Sequence, residues 1–104
     1  MVEKNDIPPE YHHAWDRYLA VIAAAERHNQ AMQKLLAYRQ LVGRWGNFLN
    51  RAAKGSEVTN TLQALRRDLN VLLDELDGAG ERAESAVRPS LVELQSALRS
   101  LCER

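Results

Sequence analysis

QAMQKLLAYRQLVGRWGNFLNRAAK, residues 30–54, places Ala31, Leu35, Tyr38, Val42, Trp45, Leu49 and Ala52 at steps of 4, 3, 4, 3, 4 and 3. On an α-helix such steps leave successive side chains within about 40° of one another, so the seven residues form one apolar stripe. A stripe this wide needs a second apolar surface to cover it. Nothing in the stretch alternates with the period of a strand, and the fold class it sets is all-α.

Upstream, Asp6 followed by Ile7-Pro8-Pro9-Glu10 reads as a helix start, because proline is tolerated where first-turn N–H groups lack partners anyway. Residues 1–7 are expected to be a flexible lead. Tyr11, Trp15, Tyr18, Ile22 and Ala25 form a first stripe that drifts into the central one, as a 3.6-residue helix does against a 3.5-residue pattern. No proline interrupts residues 10–53, which predicts one long first helix over about residues 8–53. Gly43 and Gly46 lie inside it at a cost of about 1 kcal/mol each relative to alanine.

Lys54-Gly55-Ser56-Glu57 predicts a tight turn, with the glycine in a left-handed position and the serine capping the next helix. Val58, Leu62, Leu65, Leu69, Leu72 and Leu76 then make an unbroken heptad seam, which predicts a coiled-coil-like helix over residues 57–77. Asp77-Gly78-Ala79-Gly80 ends it. A last helix over residues 81–103 carries Leu91, Leu94, Leu98 and Leu101, with a kink or restart at Pro89. Residues 8–104 are thus one helical domain. Two architectures satisfy these stripes: an antiparallel hairpin with a first helix of about 65–70 Å, which must dimerise, or a three-helix bundle in which the last helix folds back on the first.

The 14 basic and 14 acidic residues cancel, so no net field holds the chain on nucleic acid or on an anionic membrane. The longest apolar run, residues 18–25, is far below the roughly 20 residues a bilayer requires. The polar, acidic start lacks the basic and apolar regions of a secretory signal, and the single Cys102 cannot close an internal disulfide. Both point to the cytoplasm.

Residues 27–54 hold six bases, Arg27, Lys34, Arg39, Arg44, Arg51 and Lys54, and no acid, whereas residues 57–104 hold nine acids against six bases. An antiparallel helix after residue 57 would lay Asp68, Asp74, Glu75 and Asp77 beside that basic stretch. Charge pairing within the fold therefore accounts for the asymmetry, and no nucleic acid is expected.

Glu10 and His13 form an E-x-x-H pair of the kind used by di-iron bundles, but those need two such helices and further carboxylates. His12, His13 and His28 have no zinc-ligand spacing. There is no glycine-rich loop after a strand and no serine or cysteine beside a base. No catalytic, metal or cofactor residue is expected.

Trp45-Gly46 in a chain of about 100 residues resembles the WXG-type secreted hairpins, though that motif has a residue between Trp and Gly and lies in the turn. The segments LLDELDGAG and VRPSLVELQSAL are similar to the end of BAG-type chaperone-regulator bundles. Both resemblances imply a helical interaction module, and neither carries residues over.

The function expected is a non-enzymatic protein–protein interaction module, an adaptor, chaperone or assembly subunit. The alternatives are a small-ligand or metal-binding bundle and a secretion-system protein. Aromatics dominate interface energetics, which selects Tyr11, Trp15, Tyr18, Trp45 and Phe48 as partner-binding residues. The partner is another protein, and a homodimer is expected to cover surplus apolar groups such as Met32, Leu36, Leu41 and Phe48.

Overall fold

The computed structural model describes residues 3–103 and is all-α, with no strand among them. Its helices are α1 (His12–Glu26), α2 (Asn29–Gln33), α3 (Leu36–Ala53), α4 (Thr59–Glu75) and α5 (Glu81–Cys102). Three short 3₁₀ turns, Lys4–Asp6, Pro9–Tyr11 and Leu76–Ala79, punctuate them.

The long first helix expected over residues 8–53 is divided in three. His28 takes φ −130° and ψ 37°, and Leu35 takes φ −88° and ψ 115°, and at both points the helical ladder stops. Tertiary burial drives the break. It turns α3 back along α1 and seats Met32 and Leu35 in the core, Leu35 against Gly78 of the Leu76–Ala79 turn. The molecule consequently measures 39 × 27 × 19 Å, too short for a 65–70 Å hairpin. Its radius of gyration of 13.2 Å matches the ~13 Å of one globular domain this size.

Each long helix runs antiparallel to the next. Ala37 N–H donates to Glu75 and Arg44 pairs with Asp68 between α3 and α4. Between α4 and α5, Asn70 meets Gln95 and the Leu73 carbonyl accepts from Arg88. Tyr11 meets Phe48 and Tyr18 meets Trp45 between α1 and α3. The last helix also folds back on the first, where Arg17 Nη1 lies 2.7 Å from Glu93. Four long helices and the short α2 therefore surround one core, against the three of the three-helix alternative, because the breaks at His28 and Leu35 make α1, α2 and α3 out of one.

The heptad seam of α4 is buried throughout, from Val58 to Leu76, and Leu91, Leu94 and Leu98 of α5 meet it in the core. The α3 stripe is rotated from its expected centre: Leu41 and Phe48 are fully buried, while Val42 is exposed and Leu49 half-buried. The reason is lateral. α4 lies close along the flank that carries Leu41 and Arg44, and Phe48 is covered by Tyr11 and Trp45.

The turns follow backbone chemistry. Gly55 has φ 72°, Ser56 N–H bonds the Arg51 carbonyl and Gly55 N–H bonds that of Ala52, a Schellman closure that favours glycine. Ser56 does not cap α4 as expected; Glu57 Oε1 accepts from Thr59 N–H, which holds the Glu57 carboxyl below its ordinary range. Pro89 lies inside a continuous α5 and neither ends nor restarts it. It is exposed, as is Ser85, whose carbonyl loses its usual donor there. Residues 3–7 are packed rather than a free lead: Ile7 is buried, and His12 Nε2 lies 2.9 Å from the Ile7 carbonyl and 3.0 Å from that of Lys4. Residues 1 and 2 of that lead lie outside the described residues.

Candidate interaction surface

The five aromatics selected from the sequence lie on α1, its leading turn and α3, and the structure uses most of them internally. Tyr18 and Trp45 stack with centroids 4.4 Å apart and planes 9° from parallel. Trp45 and Phe48 tilt together at 5.2 Å, and Tyr11 meets Phe48 edge-on at 5.3 Å. Such ring pairs contribute about 0.5–1.5 kcal/mol beyond their area burial. Tyr18, Trp45 and Phe48 are buried in this fold and serve as core. Tyr11 and Trp15 are half-buried and keep part of their rings at the surface.

Burial also sets the phenols. Tyr18 is pushed up to about 12, by desolvation first and by Tyr38 second. Desolvation raises Tyr38 too, with Glu26 adding to it, and Tyr11 is raised by burial, Glu10 and Glu57. All three hydroxyls stay protonated at neutral pH, and none is activated as a base.

The rings explain the shape above them. Backbones approach closely along the α1/α5, α3/α4 and α4/α5 seams, whereas α1 and α3 are bridged by aromatic side chains. These rings form the seam between α1 and α3. On its α1 side Trp15, Leu19 and Ile22 follow at steps of 4 and 3, and on its α3 side Val42, Gly46 and Leu49 do the same. Leu19 is 50% exposed and Val42 38%, with Trp15, Ile22 and Leu49 half-buried between them. Leu36 of α3, Val71 of α4 and Val92 of α5 are exposed as well, Val92 beside Pro89. Leu19 escaped sequence reading because it falls between two stripes; its signal is its place next to Tyr18 and four residues after Trp15.

The basic stretch is paired less than expected. Arg44 reaches Asp68, which is buried apart from that contact, but no other base of residues 27–54 has a carboxylate within 4.0 Å among the described residues. Asp74 and Glu75 do not close over them. Glu75 instead accepts the free N–H of Ala37 at the start of α3, where the helix dipole favours a carboxylate.

The E-x-x-H pair is not assembled: His12 is engaged with backbone carbonyls, His13 is exposed, and no group of three metal-ligating side chains occurs among the described residues. A shallow cleft at one end of the bundle, over Tyr11, Val58, Leu62 and Leu101, is rimmed by Glu10 and Glu57 and holds no base beside a nucleophile. No described helix is long and apolar enough to cross a membrane. Comparison with protein-family models, curated proteins and solved structures finds no match.

Proposed function

We propose that this chain is a non-enzymatic helical module that binds another protein, as an adaptor, chaperone or assembly subunit, through the seam between α1 and α3. One observation carries the reading: Leu19 of α1 and Val42 of α3 are 50% and 38% exposed, with Trp15, Ile22 and Leu49 of the same two helices half-buried. Exposed apolar groups in one patch are unfavourable in water, and a partner surface that buries them recovers about 25 cal/mol per Å².

The motive for a homodimer weakens. Of the residues that called for a second copy, Met32, Leu41 and Phe48 are enclosed within one chain while Leu36 stays 54% exposed, and α5 lies over the flank of α1 that carries Arg17. We propose a monomer of 11.8 kDa that works in the cytoplasm.

A partner pull-down from the cell of origin, combined with absorbance and metal analysis of the purified chain, tests the reading. The expected result is a colourless, metal-free protein that brings down one stoichiometric polypeptide. A bound chromophore or a stoichiometric metal would favour a ligand-binding bundle instead.

A further inference from the structure

We infer that residues 27–35 are a hinge through which two copies of this chain exchange α1, each copy straightening residues 12–53 into one helix and laying its α1 on the α3 and α5 of the other. This goes beyond the interaction-module reading and does not depend on it. Only two backbone positions hold the bend. His28 and Leu35 leave the helical region, whereas Arg27 and Lys34 are helical already, as is α2 between the breaks. Residues 27–35 contain no glycine or proline that would oppose a helix. The apolar phase also crosses both breaks. Val21, Ala25, His28, Met32 and Leu35 follow at steps of 4, 3, 4 and 3, and Leu35 leads into the α3 stripe of Tyr38, Val42 and Trp45. Val21, Ala25, Met32 and Leu35 are buried and His28 is half-buried. A bend has no need of that phase, and an unbroken helix shows it as one seam.

The exchange closes on itself. α1 and α3 run antiparallel, and the residues midway between Tyr11 and Phe48 and between Tyr18 and Trp45 fall within 29–32, inside the hinge. Two straight helices laid antiparallel about a two-fold axis there bring the same rings together, Tyr18 of each protomer on Trp45 of its partner. The ion pair of Arg17 with Glu93, which joins α1 to α5, is remade across the same boundary. The core contacts of the monomer are thus kept and the hinge alone changes, which is what makes domain swapping a low-cost route to a dimer. Straightened residues 12–53 span about 63 Å, close to the length that the stripe spacing predicts for the first helix. The bent form in turn buries Met32 and Leu35 against the Leu76–Ala79 turn, so the monomer prevails in dilute solution and the dimer forms by mass action.

The test refolds the purified full chain from denaturant at micromolar and at millimolar concentration, reduced so that Cys102 forms no bridge, and separates the products by gel filtration with light scattering. The expected result is a monomer at the low concentration and, at the high one, a second species of twice the mass that reverts slowly on dilution. In the Arg17→Lys variant a carbodiimide then links position 17 to Glu93 through an amide. The monomer should give an internal link, and the dimer a covalent pair on a denaturing gel. Leu36→Pro should lower the dimer-to-monomer ratio by about a hundredfold, because proline inside the straight helix breaks it. In the monomer Leu36 is exposed, opens α3 and follows an extended Leu35, where proline is accepted, so circular dichroism should show that monomer as helical as the parent. His28→Leu should raise the dimer several-fold by completing the seam with a better helix former. A mass that stays at 11.8 kDa for the parent and His28→Leu after refolding at millimolar concentration would overturn the inference. So would a dimer in which the link from position 17 to Glu93 is internal, or one that Leu36→Pro leaves undiminished.

Discussion

The α3/α4 seam and the α1/α3 seam share a helix and are closed by different means. On the α4 side, leucines at heptad spacing let the backbones come close, and Leu65, Leu69 and Leu72 are fully buried. On the α1 side, Tyr11, Tyr18, Trp45 and Phe48 fill the space with rings and hold the helices apart. Small branched residues seal a seam, whereas rings span one and leave their rim to the solvent. In this molecule the first seam supplies stability and the second supplies surface.

The largest expected effect lies in the sealed seam. Leu69→Ala should cost about 2–5 kcal/mol in urea denaturation, because a leucine enclosed by close-packed helices leaves a cavity that relaxes only in part. A cost below 1 kcal/mol would mean that this seam is no tighter than the other.

Alkaline pH probes the ringed seam. The Tyr18 phenol ionises near 10 in the unfolded chain and near 12 in the fold, so its contribution is complete below pH 10 and is lost as pH rises from 10 to 12. Tyr18→Phe should flatten that part of the stability profile, and an unchanged profile would place the ring in water.

Gly46→Ala should raise stability by about 1 kcal/mol, since it removes a helix-interior glycine and the added Cβ meets nothing within 4 Å. Destabilisation would reveal a closer approach of α1 to α3. The smallest effect belongs to the rim: Leu19→Ser and Val42→Ser should each change stability by less than about 0.5 kcal/mol, and a larger loss would make them core.

The two seams were also unequally legible in the sequence. α4 could be read residue by residue because its leucines occupy one face and its neighbours use that whole face. Gly55 announced its turn because a left-handed residue there suits glycine. The break at His28 and Leu35 carried no glycine or proline, and its cause, the burial of Met32 and Leu35 beneath the Leu76–Ala79 turn, is tertiary. The rotation of the α3 stripe from Val42 and Leu49 toward Leu41 and Phe48 has the same origin, since a helix with apolar residues on both flanks does not record which flank its nearer neighbour takes. The aromatics were visible as a group, but their collapse onto one another was not. That collapse moved the candidate surface from the rings to the aliphatic residues at their edge.

The most direct test compares two double variants in the pull-down: Leu19→Ser with Val42→Ser on the ringed seam, and Val71→Ser with Val92→Ser on the faces of α4 and α5. The account predicts that both variants keep the parent's helicity and unfolding midpoint, and that only the first loses the stoichiometric partner. Equal recovery of the partner by the first variant and the parent would contradict it.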